Sequence, residues 1–118
     1  MKRIIRGIPL SLLTLLAWSY GTHALAGSAP LVTITRIDAQ SNGFFFVSFS
    51  ANIANGPSCG QTGVPNGMAI DGTSPGGKVL MATIMGAYAM GKTVTATGTN
   101  VCDLHSAYET MWDVYTTN

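Results

Sequence analysis

Hydrophobic and polar positions alternate, cluster and alternate again along this chain, and the changes of period mark its elements. Leu31 to Asp38, LVTITRID, is rich in β-branched residues and reads as a first strand. Asn42-Gly43 follows, a strong hairpin signal. Phe44 to Ser50, FFFVSFS, is a second strand, with Phe45, Val47 and Phe49 on one face, the expected core side. Phe44, Phe46 and Ser48 fall on the other face, under a loop or in an interface. From Asn52 to Gly67 glycine, proline and asparagine punctuate a loop. Met68 to Asp71 is a short third strand, and Asp71-Gly72 turns the chain.

The period then changes to that of a helix. Ser74 suits an N-cap, Pro75 the first helical position, and Gly91 a left-handed stop, so the pattern predicts a helix over 75–90. Leu80, Ile84, Ala87 and Tyr88 recur at helical spacing. Met81, Met85 and Ala89 cannot all share their face, so this helix is apolar nearly all round. Either loops and sheet of its own domain cover that second face, or it meets a partner or another copy. Gly86 costs roughly 1 kcal/mol against alanine in a helix interior, which predicts a close backbone approach there. Thr93 to Thr99 alternates as a fourth strand with Val94 and Ala96 inward. After an irregular stretch, Met111 to Thr116 is a fifth, with Trp112 and Val114 expected in the core.

The predicted order is β-β-β-α-β-β: a mainly β domain with one helix, arranged as a small five-stranded barrel of the oligonucleotide/oligosaccharide-binding type. The helix would plug one end, and closing the sheet would hide its edges.

The first segment belongs to none of this. Lys2, Arg3 and Arg6 precede the mostly apolar Ile8–Tyr20, and Ala24-Leu25-Ala26 is a small-x-small cleavage signal, so Met1–Ala26 reads as an export signal. Removing 26 of the 118 residues leaves one domain of 92, Gly27–Asn118. It keeps all five acidic residues but only three of the six basic ones, for a formal charge of −2. No basic patch remains for nucleic acid, and nothing left would hold the chain to a membrane. The expected location is periplasmic or extracellular. In such an oxidising compartment the two cysteines, Cys59 and Cys102, are expected to pair. Metal binding with His105 and a reactive thiol are the weaker rivals, because zinc wants four ligands.

Candidate chemistry is thin. Gly86 to Thr93 matches the phosphate-loop pattern G-x-x-x-x-G-K-[ST], but that chemistry needs a strand before the loop and a helix after it. Here the helix comes first. Asp103, His105 and Ser106 have the residue types of a hydrolase triad, yet they are near neighbours in one loop. Asp38, Asp71 and Asp113 flank strands and read as solvated turn residues. No catalytic residue, metal or cofactor is assigned, and a small hydrolase is the least favoured reading.

Val32–Ile37, Gly43–Ser50, Cys59, Gly77–Ala82, Ala87–Val94, Gly98-Thr99 and Cys102, taken together, resemble small bacterial secreted proteins related to the B subunits of subtilase-type and typhoid-type AB5 toxins. The resemblance implies an oligosaccharide-binding-type barrel, a disulfide, and a ring of five with helices lining its centre. It also implies glycan binding through serine and aromatic positions on the second strand, here Phe44, Phe46, Ser48 and Ser50. The clear counterpart of the extended glycan-binding loops is missing. The expectation is therefore an exported, non-catalytic binding or interaction domain. It is oligomeric through Met81, Met85 and Ala89 and glycan-binding in one version, and a periplasmic or cell-surface protein-interaction domain without a sugar ligand in the other.

Overall fold

A computed structural model describes residues 26–117. The export signal read over 1–26 therefore lies outside the described residues, except for Ala26. The element order is β1 (Ser28–Val32), β2 (Ile34–Ala39), β3 (Phe44–Phe49), α1 (Ser58–Thr62), β4 (Gly67–Asp71), α2 (Pro75–Met90), β5 (Val94–Gly98) and β6 (Glu109–Thr116). The expected mainly β domain is present. Two details differ: there are six strands rather than five, and a one-turn helix, α1, precedes β4.

The extra strand comes from a break. What reads as one strand over Leu31–Asp38 starts earlier, at Ser28, and divides at Thr33 into β1 and β2. β1 pairs with β5 and β2 pairs with β3, both antiparallel, and the register shifts in each pairing next to the break. Leu31 takes a left-handed backbone, φ 50°, which a leucine rarely adopts. The sheet order is β1-β5-β6-β4-β3-β2, so β1 and β2 stand at its two ends while Thr33 alone joins them. The β4·β6 pair is parallel and every other pair is antiparallel.

Local signals account for the turns. Gly43 has φ 87°, its N–H donates to Gln40 O, and Asn42 Oδ1 accepts from Phe44 N at 3.0 Å. That closes the β2–β3 hairpin where Asn-Gly predicts it. α2 begins with Ser74 Oγ accepting from Gly77 N at 3.0 Å and ends at Gly91, φ 64°. β5 follows it, so the phosphate-loop look-alike ends a helix rather than starting one.

The core lies between the inward face of the sheet and one face of α2. Val47, Phe49, Met68, Ile70, Ile84 and Val94 are fully buried there. α2 packs on β6, β4 and β2 through Gly77, Ile84 and Ala87, with Leu80 partly covered. Tyr88, expected on that face, is half exposed. The close approach belongs to Gly77 and not to Gly86. A methyl at Gly77 would fall on the backbone oxygen of Asp71, whereas one at Gly86 would meet nothing within 4 Å.

Trp112 is another correction, being 73% exposed. Met111 pairs with Gly98 and Asp113 with Thr97, so Trp112 is an extra residue in a bulge. The bulge resets the alternation, and Met111 and Val114 become the buried pair.

Cys59, in α1, and Cys102 form a disulfide that spans 43 residues with a Cα–Cα distance of 6.4 Å. It staples the α1 loop to the segment before β6, and Val64 N donates to Ala107 O alongside it. Opening this bridge is expected to cost roughly 2–4 kcal/mol, read as a lower urea midpoint when reductant is added. Gly77→Ala should destabilise by about 1–3 kcal/mol through overpacking. Gly86→Ala should instead stabilise by roughly 0.5–1 kcal/mol, and the same unfolding curves separate the two.

Candidate functional site

The outward face of β3 carries Phe44, Phe46 and Ser48 in one lane. Register places Asp38 and Ala69 beside Phe46, Arg36 and Gly67 beside Ser48, and Asp71 beside Phe44. Pairs directly opposite one another share a face, so these residues form one strip across β2, β3 and β4.

A lid covers the middle of that strip. Phe46 is only 4% exposed. His105 stacks edge-on against it with ring centroids 5.3 Å apart, and Tyr108 lies tilted at 4.7 Å. The His105 and Tyr108 rings meet edge-on at 5.3 Å. A methyl at Gly67 would sit 2.7 Å from the Tyr108 ring, so the glycine makes room for the lid. Of the two readings for the outward phenylalanines, burial under a loop holds for Phe46. Phe44 and Ser48 are half-buried at the edges of the lid. Ser50 lies beyond the lane, exposed, its hydroxyl accepting from Thr33 N at 3.0 Å at the strand break.

Polar groups around the strip are tied locally. Arg36 pairs with Asp38 at 3.4 Å on the surface. His105 Nδ1 accepts from Ala107 N at 3.1 Å, and Asp103 accepts from the Thr110 hydroxyl. Among the described residues no hydrogen bond links Asp103, His105 and Ser106 to one another, and no three His, Cys, Asp or Glu side chains converge as a metal site. The described residues enclose no pocket, so a ligand here would meet a shallow aromatic ridge with polar flanks.

A second surface is the outer side of α2. Val79 is 67% exposed, Met85 51%, Tyr88 50% and Met90 65%; Ala89 is exposed and Met81 is half-buried. Among the described residues, the domain's own loops and sheet leave Met85 and Ala89 of this face exposed and cover Met81 only in part.

Sequence reasoning missed Tyr108 and Glu109. Tyr108 precedes β6 in an irregular stretch, and no periodicity marks it as a lid. Glu109 opens β6 and is 1% exposed. A single acidic residue beside a strand ordinarily reads as solvated, and only the three-dimensional packing reveals its burial.

Asp71 links the strip to α2. Its carboxylate accepts from both the hydroxyl and the backbone N–H of Thr73, and its backbone oxygen accepts from Ser74. The two Thr73 bonds to the carboxylate favour its charged form, the hydroxyl most of all, and hold the carboxyl below the ordinary aspartate value of 3.8. A depressed folded-state value stabilises above the unfolded value and is lost as pH falls through the folded one. Stability should therefore drop as acid takes the solution below about pH 3.8. Asp71→Asn should flatten that part of the melting-temperature profile and leave the neutral plateau slope unchanged.

Compared with protein-family models, curated proteins and solved structures, the chain matches none.

Proposed function

We propose that this chain is an exported, non-catalytic binding module that self-associates through α2. The uncovered outer face of α2 carries the reading. Val79, Met85, Tyr88 and Met90 are exposed on a well-capped helix, and exposed large apolar side chains of this kind commonly mark an interface. The low charge of the mature chain is in keeping with a surface partly covered by partners.

The barrel reading supports the same proposal. If β1 and β2 are counted as two halves of one bent strand, the six strands would reduce to five in the manner of an oligosaccharide-binding-type barrel, with α2 between the third and fourth. Under the resemblance to AB5 toxin B subunits, copies would assemble as a ring with α2 facing its centre. The glycan surface would be the flanks of the lidded strip, Phe44 and Ser48, with His105 at the rim. Ser50 lies one pair further along and Phe46 acts as the floor. The second reading, a periplasmic or cell-surface protein-interaction domain without a sugar ligand, is favoured by the same apolar face, which offers a sugar few hydrogen-bond partners.

Light scattering after size exclusion, on the exported and oxidised protein, tests self-association. The expected mass is several times that of one chain, and Met85→Glu should return it to a monomer with an unchanged circular dichroism spectrum. A monomeric parent protein would overturn the assembly. A glycan array then separates the two ligand readings: hits lost in Ser48→Ala support the sugar, and an array without hits removes it.

A further inference from the structure

We propose that Glu109 is the receptor for the chain's own new amino terminus: cleavage between Ala26 and Gly27 turns the Gly27 amide nitrogen into an α-ammonium that pairs with the buried Glu109 carboxylate. The inference rests on the export reading, and it is independent of what the module binds.

The argument starts from an imbalance. Glu109 is 1% exposed, and its Oε1 accepts from Gly27 N at 2.8 Å and from Asn100 N at 2.9 Å. Both donors are neutral amides. Oε2 has no hydrogen-bond partner, and neither does the buried Asn100 Oδ1 on the residue that shares Oε1. The one ion pair among the described residues, Arg36–Asp38, lies elsewhere on the surface. Lys78 and Lys92 are exposed. A buried carboxylate without a countercharge is strongly disfavoured. The site therefore lacks one positive charge, and two of its acceptors lack donors.

An α-ammonium at Gly27 supplies that charge. A backbone amide has one N–H and an ammonium has three, so the conversion adds two donors. The carboxylate already straddles this residue: Oε1 is bonded to its nitrogen, and a methyl added to Gly27 would collide with Oε2. A methyl at Gly98 would collide with the same carboxyl, and one at Gly56 would lie 3.2 Å from Oε2. Three glycines thus leave space for the carboxylate and bring the Gly27 backbone against it. Gly98 N donates to Gly27 O at 2.8 Å, and Ser28 and Ala54 exchange both backbone bonds, so Gly27 is anchored. Gly27 is buried while Ala26 is exposed, which places the change from interior to surface at the proposed cleavage point.

The covalent step is peptide hydrolysis by the export peptidase. Water adds across the Ala26–Gly27 bond, its oxygen stays with the Ala26 carboxylate, and its protons leave the Gly27 nitrogen as an ammonium. Nothing is oxidised or reduced.

The test uses full-length chain exported from cells, oxidised, and weighed by mass spectrometry. The expected species begins at Gly27. One uncut or cut elsewhere overturns the pairing together with the cleavage on which it rests. Glu109→Gln is then compared in two backgrounds: the ordinary chain, and one with a serine inserted before Gly27, which cleavage after Ala26 leaves one residue longer. Glu109→Gln should lower the folding equilibrium constant roughly a hundredfold more in the ordinary background. Equal losses in both backgrounds would mean that the carboxylate serves backbone amides alone, and would overturn the pairing. Should the glutamine variant not fold, amine acylation of the unsubstituted native protein decides. Lys78 and Lys92 should label while the Gly27 amine stays protected until denaturant is added. Native labelling of Gly27 at the denatured rate overturns the proposal. Light scattering judges the binding-module reading separately, so either can fail alone.

Discussion

Thr33 joins the two ends of a six-stranded sheet, and most of the fold follows from that joint. β1 must pair with β5 while the next residues pair with β3, so the chain has to change direction within a residue or two. The left-handed backbone at Leu31 and the register shifts on both sides of the joint are the local consequences. Ser50 reinforces it, with its N–H donating to Thr33 O and its hydroxyl accepting from Thr33 N. A sheet whose ends are covalent neighbours cannot lie flat, and its inward face encloses the core that α2 then covers.

The helix fits that core by one close contact. Gly77 brings the first turn of α2 against the Asp71 backbone at the end of β4, and the Ser74 cap holds the angle. From there Ile84 and Ala87 reach the sheet, and the opposite side of a nearly all-apolar helix is left outside. Exposed methionines, valine and tyrosine on a helix this well capped are hard to explain by local stability. Propensity and capping specify the helix, but they set no requirement on its outer face.

Features that depend on neighbouring residues in sequence are legible without a structure. The Asn42-Gly43 hairpin, the Ser74-Pro75 start, the Gly91 stop and the inward Phe45, Val47 and Phe49 are of this kind. Features that depend on a distant partner are not. Trp112 alternates correctly with Val114, and only the pairing of β6 with β5 reveals the bulge that turns it outward. The break at Thr33 is invisible because LVTITRID is a good strand throughout, and what divides it is the position of two other strands. The lane of Phe44, Phe46 and Ser48 could be read from alternation. Its lid of His105 and Tyr108 could not, because that segment has no period.

Glu109 is approached from two sides. Gly60, the residue after Cys59, packs against the Glu109 backbone, and the disulfide fixes that helical turn to the segment leading into β6. Gly27 approaches the same residue from the other side. If the chain is exported as proposed, oxidation and signal removal would both act on this one spot. A chain still carrying its reduced cysteines and its leader would lack both the staple over Glu109 and the charge beside it. The buried carboxylate would then oppose folding where, after both events, it supports it. A small core with few charges has little margin, so on the proposed pairing a single unpaired buried charge would be large enough to shift the folding equilibrium.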